Sequence, residues 1–216
     1  MPRLRLNISM SLDGYVAGPN QSLENPLGEG GEALHEWVVV TRSFRRIHGS
    51  EDESGETGAD DDVMAESFAN LGSSIMGRNM FGGGPGRWSD EPWKGWWGDD
   101  PPFHHPVFVL TNHAREPLEM QGGTTFHFVT DGIEAALERA KQAAGDGDVG
   151  LGGGAEAARQ YLRAGLVDDM QIHVAPVLLG GGARLFEDVG DVRSRYEPLG
   201  LVSSPAVAHY RYRRVT

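Results

Sequence analysis

The sequence predicts an α/β fold in one domain: a mostly parallel sheet with an antiparallel C-terminal hairpin at its edge and helices on both faces. Three observations carry this expectation. From Ser73 onward, short apolar segments alternate with helical ones, the pattern of a buried parallel sheet with crossover helices. A glycine run, Gly152-Gly153-Gly154, stands where an apolar strand meets a helix. The tail then alternates with period two (Ala206, Ala208, Tyr210, Tyr212) behind Ser203-Ser204-Pro205, which pairs it with residues 196–202 as a hairpin.

Taken in order, Leu4, Leu6, Ile8 and Met10 alternate with Arg3, Arg5, Asn7 and Ser9, a strand with one buried face that ends at the turn Asp13-Gly14. Leu34, Trp37, Val38, Thr41 and Phe44 recur at three and four residues and predict an amphipathic helix. Residues 49–62 hold Glu51, Asp52, Glu53, Glu56, Asp60, Asp61 and Asp62 and read as a mobile polar loop. Asp61 or Asp62 would cap a helix over residues 63–71. Strands follow at 73–76, 106–110, around Phe126 and Phe128, at 149–151 and at 170–174, with helices at 132–144 and from the glycine run to Ala164. Trp88, Trp93, Trp96 and Trp97 lie in a Gly/Pro-rich stretch and either cover a face of the sheet or make a subunit contact; the second is preferred.

At 216 residues the chain can bury a core without covalent staples. The absence of cysteine excludes a disulfide scaffold, a thiolate metal site and a cysteine nucleophile. Nineteen Lys and Arg against 31 Asp and Glu give a net charge of -12, which disfavours nucleic acid and anionic membrane as partners. With no apolar leader and no apolar run near the ~20 residues of a membrane helix, the expected location is cytoplasmic. No metal centre is expected, because neighbours such as His104 and His105 point apart on extended chain.

The glycine run is the most informative segment. Without Cβ atoms its backbone can turn sharply and approach an anion, and the helix N-terminus adds partial positive charge. A tight turn without a ligand needs fewer glycines, so an anion site is favoured, and Gly153→Val is expected to harm binding more than folding. Gly152, Gly154 and Ala157 match the dinucleotide spacing G-x-G-x-x-G/A, though not at the first strand, where a Rossmann domain carries it. Gly77-Arg78-Asn79-Met80 and Thr111-Asn112 follow other strands, and ligands of open α/β sheets bind outside the carboxyl ends of strands.

Ser11-Leu12-Asp13-Gly14-Tyr15-Val16-Ala17, Met76-Gly77-Arg78-Asn79, Leu110-Thr111, Leu151-Gly152-Gly153-Gly154 and Pro176-Val177-Leu178-Leu179-Gly180-Gly181-Gly182 with Leu185-Phe186 occur in that order. Together they resemble the dihydrofolate-reductase-like superfamily, in the branch of the C-terminal reductase domain of the bifunctional riboflavin-biosynthesis deaminase/reductase. The resemblance implies a mostly parallel sheet of about eight strands. It also implies NADPH as cofactor, a homodimer, and hydride transfer to a small heterocyclic substrate of pterin or aminopyrimidine type. A catalytically silent nucleotide-binding protein of the same fold is the alternative.

Carried over, Gly77, Arg78, Asn79 and Met80 would cradle phosphates, with Met80 standing where a threonine is common. Thr111 and Asn112 would lie by the adenosine ribose and its 2′-phosphate. Leu151, Gly152, Gly153, Gly154 and Ala155 would hold the diphosphate, and Val16 and Ala17 would border the nicotinamide. Asp13 is the candidate catalytic and substrate contact, or a turn residue. Trp37 walls the pocket or belongs to the core, and Glu66 and Phe68 on the second helix could reach substrate. No isolated carboxylate appears in the first long helix, about residues 32–46, which departs from the folate-reducing enzymes. No zinc deaminase segment is present either.

Overall fold

The computed structural model describes residues 1–50, 53–84, 86–89 and 93–215. The chain begins with β1 (Leu4–Ser11) and β2 (Tyr15–Ala17), then the short helices α1 (Glu36–Val39) and α2 (Arg42–Ile47) and the longer α3 (Ala59–Phe68). Strand β3 (Leu71–Gly77) runs directly into α4 (Arg78–Phe81), and β4 (Pro106–Leu110), β5 (Leu118–Glu119) and β6 (Thr125–Val129) follow. The second half is α5 (Ile133–Ala144), β7 (Asp148–Leu151), α6 (Ala155–Ala164), β8 (Asp169–Ala175), β9 (Ala183–Arg184), β10 (Tyr196–Ser203) and β11 (Ala208–Arg214).

Among the described residues nine strands form one sheet in the order β10-β11-β8-β1-β7-β3-β4-β6-β5, and β2 pairs with β9 separately. The strands from β8 to β6 are parallel neighbours, while the edge pairings β8–β11, β11–β10 and β6–β5 are antiparallel. The fold class expected from the sequence is the one observed, with short β5 completing an edge that carried no sequence signal. The β10–β11 pairing is interrupted by a bulge between Pro198 and Gly200.

Strand alternation divides the core. Leu4, Leu6 and Ile8 of β1, Ile75 of β3 and Val149 and Leu151 of β7 share one buried cluster with Ala140 of α5 and Tyr161 and Leu162 of α6. The other face is more polar and holds Trp37, Val38 and Met64, which join α1 and α3 to Val207. Farther along that sheet, Met76, Val107, Val109, Phe81 and Phe126 make a third cluster, against which Trp88, Trp93 and Trp97 pack. Trp88, Trp93 and Trp97, each half-buried, therefore cover a face of their own sheet, the first of the two readings the sequence offers.

Two more expectations change. The predicted helix over residues 34–44 breaks into a 3-10 turn, α1 and α2, because Thr41 is extended (φ -70, ψ 148) and caps α2 by accepting the Phe44 N–H. The run Val38-Val39-Val40-Thr41 is β-branched throughout, which weakens a continuous helix. Helix α3 starts at Ala59 behind Gly58, so Asp60, Asp61 and Asp62 occupy its first turn, where they favour the dipole without being the N-cap. Asp61 instead accepts the Ser43 N–H at 2.6 Å. The acidic stretch before it is stitched to Val40 and Arg42 through the Glu56 backbone; Glu51 and Asp52 lie outside the described residues. No helix among the described residues is long and apolar enough to cross a membrane.

Candidate functional site

Because β7, β3 and β4 are parallel neighbours, the segments leaving their carboxyl ends emerge side by side. Gly77 N–H donates to the Gly153 carbonyl at 2.7 Å, and Gly152 N–H to the Ile75 carbonyl at 3.1 Å, so the two glycine turns are bonded to each other. A Cβ on Gly77 would sit 3.3 Å from Ala157 Cβ, close against α6. Arg78 Nη1 reaches Thr111 Oγ1 at 3.4 Å and ties in the third segment. Helix α6 opens at Gly154 with no side-chain cap, leaving its first-turn N–H groups without a side-chain acceptor. Asn79 and Asn112 are exposed on this rim, whereas Leu151 and Ala155 are buried beneath it. Val16 and Ala17 are buried on β2, Val16 in the same cluster as Ala155 and Ile8.

The guanidinium of Arg78 lies 3.1 Å from the centre of the Trp88 ring and donates to the Gly82 and Gly83 carbonyls. Arg115 lies 4.9 Å from the same ring and donates to the Trp93 carbonyl. Among the described residues neither has a carboxylate partner; burial lowers the pKa of both, and for Arg78 the neighbouring Arg115 lowers it further. Two cations on one ring, with no acid paired to either among the described residues, make this corner attractive to an anion.

A cleft of about 700 Å³ adjoins the glycine turns on the polar face of the sheet. Leu151, Gly152 and Met80 line it at the turn end, and the Met80 methyl would lie 3.0 Å from a Cβ on Gly152. Trp37, Glu66 and Phe68 line it as well, so these three expected substrate residues are together. Trp37 is also core: it is buried and donates to Ser9 Oγ at 3.1 Å. Glu66 is held by both nitrogens of the Arg211 fork.

Asp13 is placed elsewhere. Its carboxylate accepts the Ser11 hydroxyl at 2.6 Å and the Leu179 and Gly180 N–H groups at 3.1 and 2.7 Å, stapling the turn after β1 to the loop after β8. The Ser11 hydrogen bond and then the two amides hold its pKa down to about 2, so at neutral pH it has no proton to give. A carboxyl depressed below its ordinary 3.8 stabilises the fold above that pH and loses the effect as pH falls toward 2. Asp13→Asn is therefore expected to lower Tm at pH 7, with the gap to wild type closing between about pH 4 and 2 in calorimetric scans. A constant gap would show that the charge is not what the loop uses.

Sequence reasoning missed the polar floor of the cleft, formed by Asn7, Gln171 and His173 with Ser67, His209 and Asp60 behind them. The available signal was alternation: Gln171 and His173 interrupt the apolar residues of a central strand, and Asn7 and Ser9 do so in its neighbour.

The RibD C-terminal domain family model matches residues 2–207. The fold is similar to a protein from Shewanella sp. PV-4 described as a riboflavin biosynthesis protein (20% identity, TM-score 0.61, 99% of each chain). It is also similar to dihydrofolate reductase from Enterococcus faecalis, solved with NADP(H) (14% identity, TM-score 0.52, 99% of this chain and 97% of that one). Acinetobacter baumannii RibD matches at 18% identity and TM-score 0.57 over all of this chain and 59% of its own. A comparison with curated proteins returned no match.

Proposed function

The chain belongs to the RibD C-terminal domain family, and from that premise we propose that it is an NADPH-dependent reductase acting on a small heterocyclic substrate of pterin or aminopyrimidine type. The observation that carries the reading is the meeting of three strand-end segments at an uncapped helix N-terminus beside a 700 Å³ cleft. Those residues fit a dinucleotide. The α6 amides with Gly152, Gly153, Gly154 and Ala155 would hold a diphosphate. Gly77, Asn79 and Met80 would wall the groove, and Arg78, Thr111 and Asn112, with Arg115, would take the adenosine end. The two guanidiniums, which have no carboxylate partner among the described residues, favour the extra phosphate of NADPH over NADH. Val16 and Ala17 would border the nicotinamide, and the cleft would hold the substrate ring.

Bound NADPH supplies the hydride; the chain orients the two rings and keeps water from between them. Asp13 serves this site by fixing the loop after β8 rather than by proton transfer. Titration with NADPH, followed by its fluorescence, is expected to show saturable binding below about 1 mM, the upper end of the range usual for enzyme ligands. No binding at that concentration would overturn the reading.

A further inference from the structure

The cleft floor is one end of a chain of polar side chains that crosses from α3 to β1. Asp60 Oδ1 lies 3.1 Å from His209 Nε2, the two Nδ1 atoms of His209 and His173 lie 2.7 Å apart, and His173 Nε2 is 2.8 Å from the Asn7 carboxamide. The Asn7 and Gln171 carboxamides are 3.3 Å apart, and Gln171 is 3.0 Å from Ser67 Oγ. Both imidazoles are buried, with Trp37 packed on each at 4.8 Å between ring centres. Solvent reaches the chain at Asp60, and the cleft reaches it at Asn7.

Proton positions follow from either end. Asp60 already accepts the Ser204 hydroxyl at 2.7 Å, and as a carboxylate it needs a second donor, so His209 carries its proton on Nε2. His209 Nδ1 is then bare, and His173 must donate from its own Nδ1. That leaves His173 Nε2 bare, and the Asn7 carboxamide, whose Oδ1 faces it and whose Nδ2 faces Gln171, must turn over to bring its amino group there. The other end gives the same answer. The single Ser67 hydroxyl proton goes to the Val63 carbonyl at 2.7 Å, so Gln171, whose Oε1 faces Ser67, must turn over to offer its amino group instead. Gln171 Nε2 is otherwise buried without a partner. The same amino group then faces the Asn7 carbonyl.

Every link is satisfied with both imidazoles neutral. The reverse order would set a bare His209 nitrogen against ionised Asp60 unless one more proton were bound. Burial opposes that proton: it pushes His173 down to about 3, with His209, His35 and Arg211 adding to the effect, and it lowers His209 despite Asp60.

We propose that Asp60, His209 and His173 are positioning residues that lock the Asn7 carboxamide in one orientation, and that Asn7 reads the N–H/C=O edge of a cyclic lactam in the cleft. A carboxamide fixed in this way presents one donor and one acceptor in set order, which a lactam edge complements and a cyclic amidinium, with two donors, does not. The inference rests on the proposed reductase reading only in taking that lactam as part of the substrate ring.

The test uses the full chain labelled with ¹⁵N-histidine. Long-range ¹H–¹⁵N spectra are expected to show His173 as the neutral Nδ1–H tautomer, unchanged from pH 5 to 8. The Nε2–H tautomer, or titration within that range, overturns the lock. Fragment titrations then compare 2-pyridone with 2-aminopyridine at a pH where the latter is protonated to its two-donor amidinium form. Wild type is expected to favour the pyridone by at least tenfold, and Asn7→Asp, whose carboxylate suits an amidinium, to reverse the order. Equal binding, no binding of either fragment, or an order that survives Asn7→Asp overturns the lactam assignment. NADPH titration of the wild type separates the two claims: its failure counts against the reductase and leaves the tautomer result standing.

Discussion

Gly154→Val is expected to weaken NADPH binding about 100-fold, or roughly 2.8 kcal/mol, while Tm stays near that of wild type. Gly154 has an ordinary φ of -67, and nothing lies within 4 Å of a Cβ built there, so the added side chain starts into open space. It would instead fill the space over the first turn of α6, where a diphosphate must approach the amides. Fluorescence titration and calorimetry on the same preparation measure both halves. Unchanged affinity would remove the α6 N-terminus from the cofactor site. Gly153→Val, the substitution the sequence suggests, is a poorer probe. Gly153 has φ +111, where a side chain costs roughly 1–3 kcal/mol of backbone strain, so folding and binding would fall together.

Phe81→Ala is expected to carry the largest stability loss, about 3–5 kcal/mol by denaturant unfolding. Phe81 is fully buried, packs edge-on against Trp88, Phe126 and Phe128, and accepts the Trp93 indole N–H through its carbonyl. Removing the ring leaves a cavity under the tryptophan cover. Because Trp88 is also the platform for Arg78, NADPH affinity should fall with stability, and a red shift of tryptophan emission should accompany both. A loss below about 1 kcal/mol would mean that the cover does not depend on this ring.

Much of this architecture was legible in the sequence because its signals are local. Period-two alternation in β1 and β11, the apolar run of β4 and the glycine-bounded β7 need no tertiary context to be read. The meeting of Gly77 with Gly153 followed from treating those strands as parallel. What stayed hidden depends on contacts distant in sequence. Thr41 breaks its helix while docked to Glu56, Trp88, Trp93 and Trp97 pack against strands that follow them, and Asp60 reaches His209 across 149 positions. Asp13 read as a turn or a contact because nothing local reveals that Leu179 and Gly180 bring it their amides.

The interruption between Pro198 and Gly200 lies in β10, the outermost strand on its side of the sheet. Proline offers no amide hydrogen, and a bulge twists the strand away from a flat outer border. The opposite border, β5, is two residues long. Neither rim offers a long regular strand as a template for runaway strand-by-strand stacking, so both margins are guarded against fibre growth.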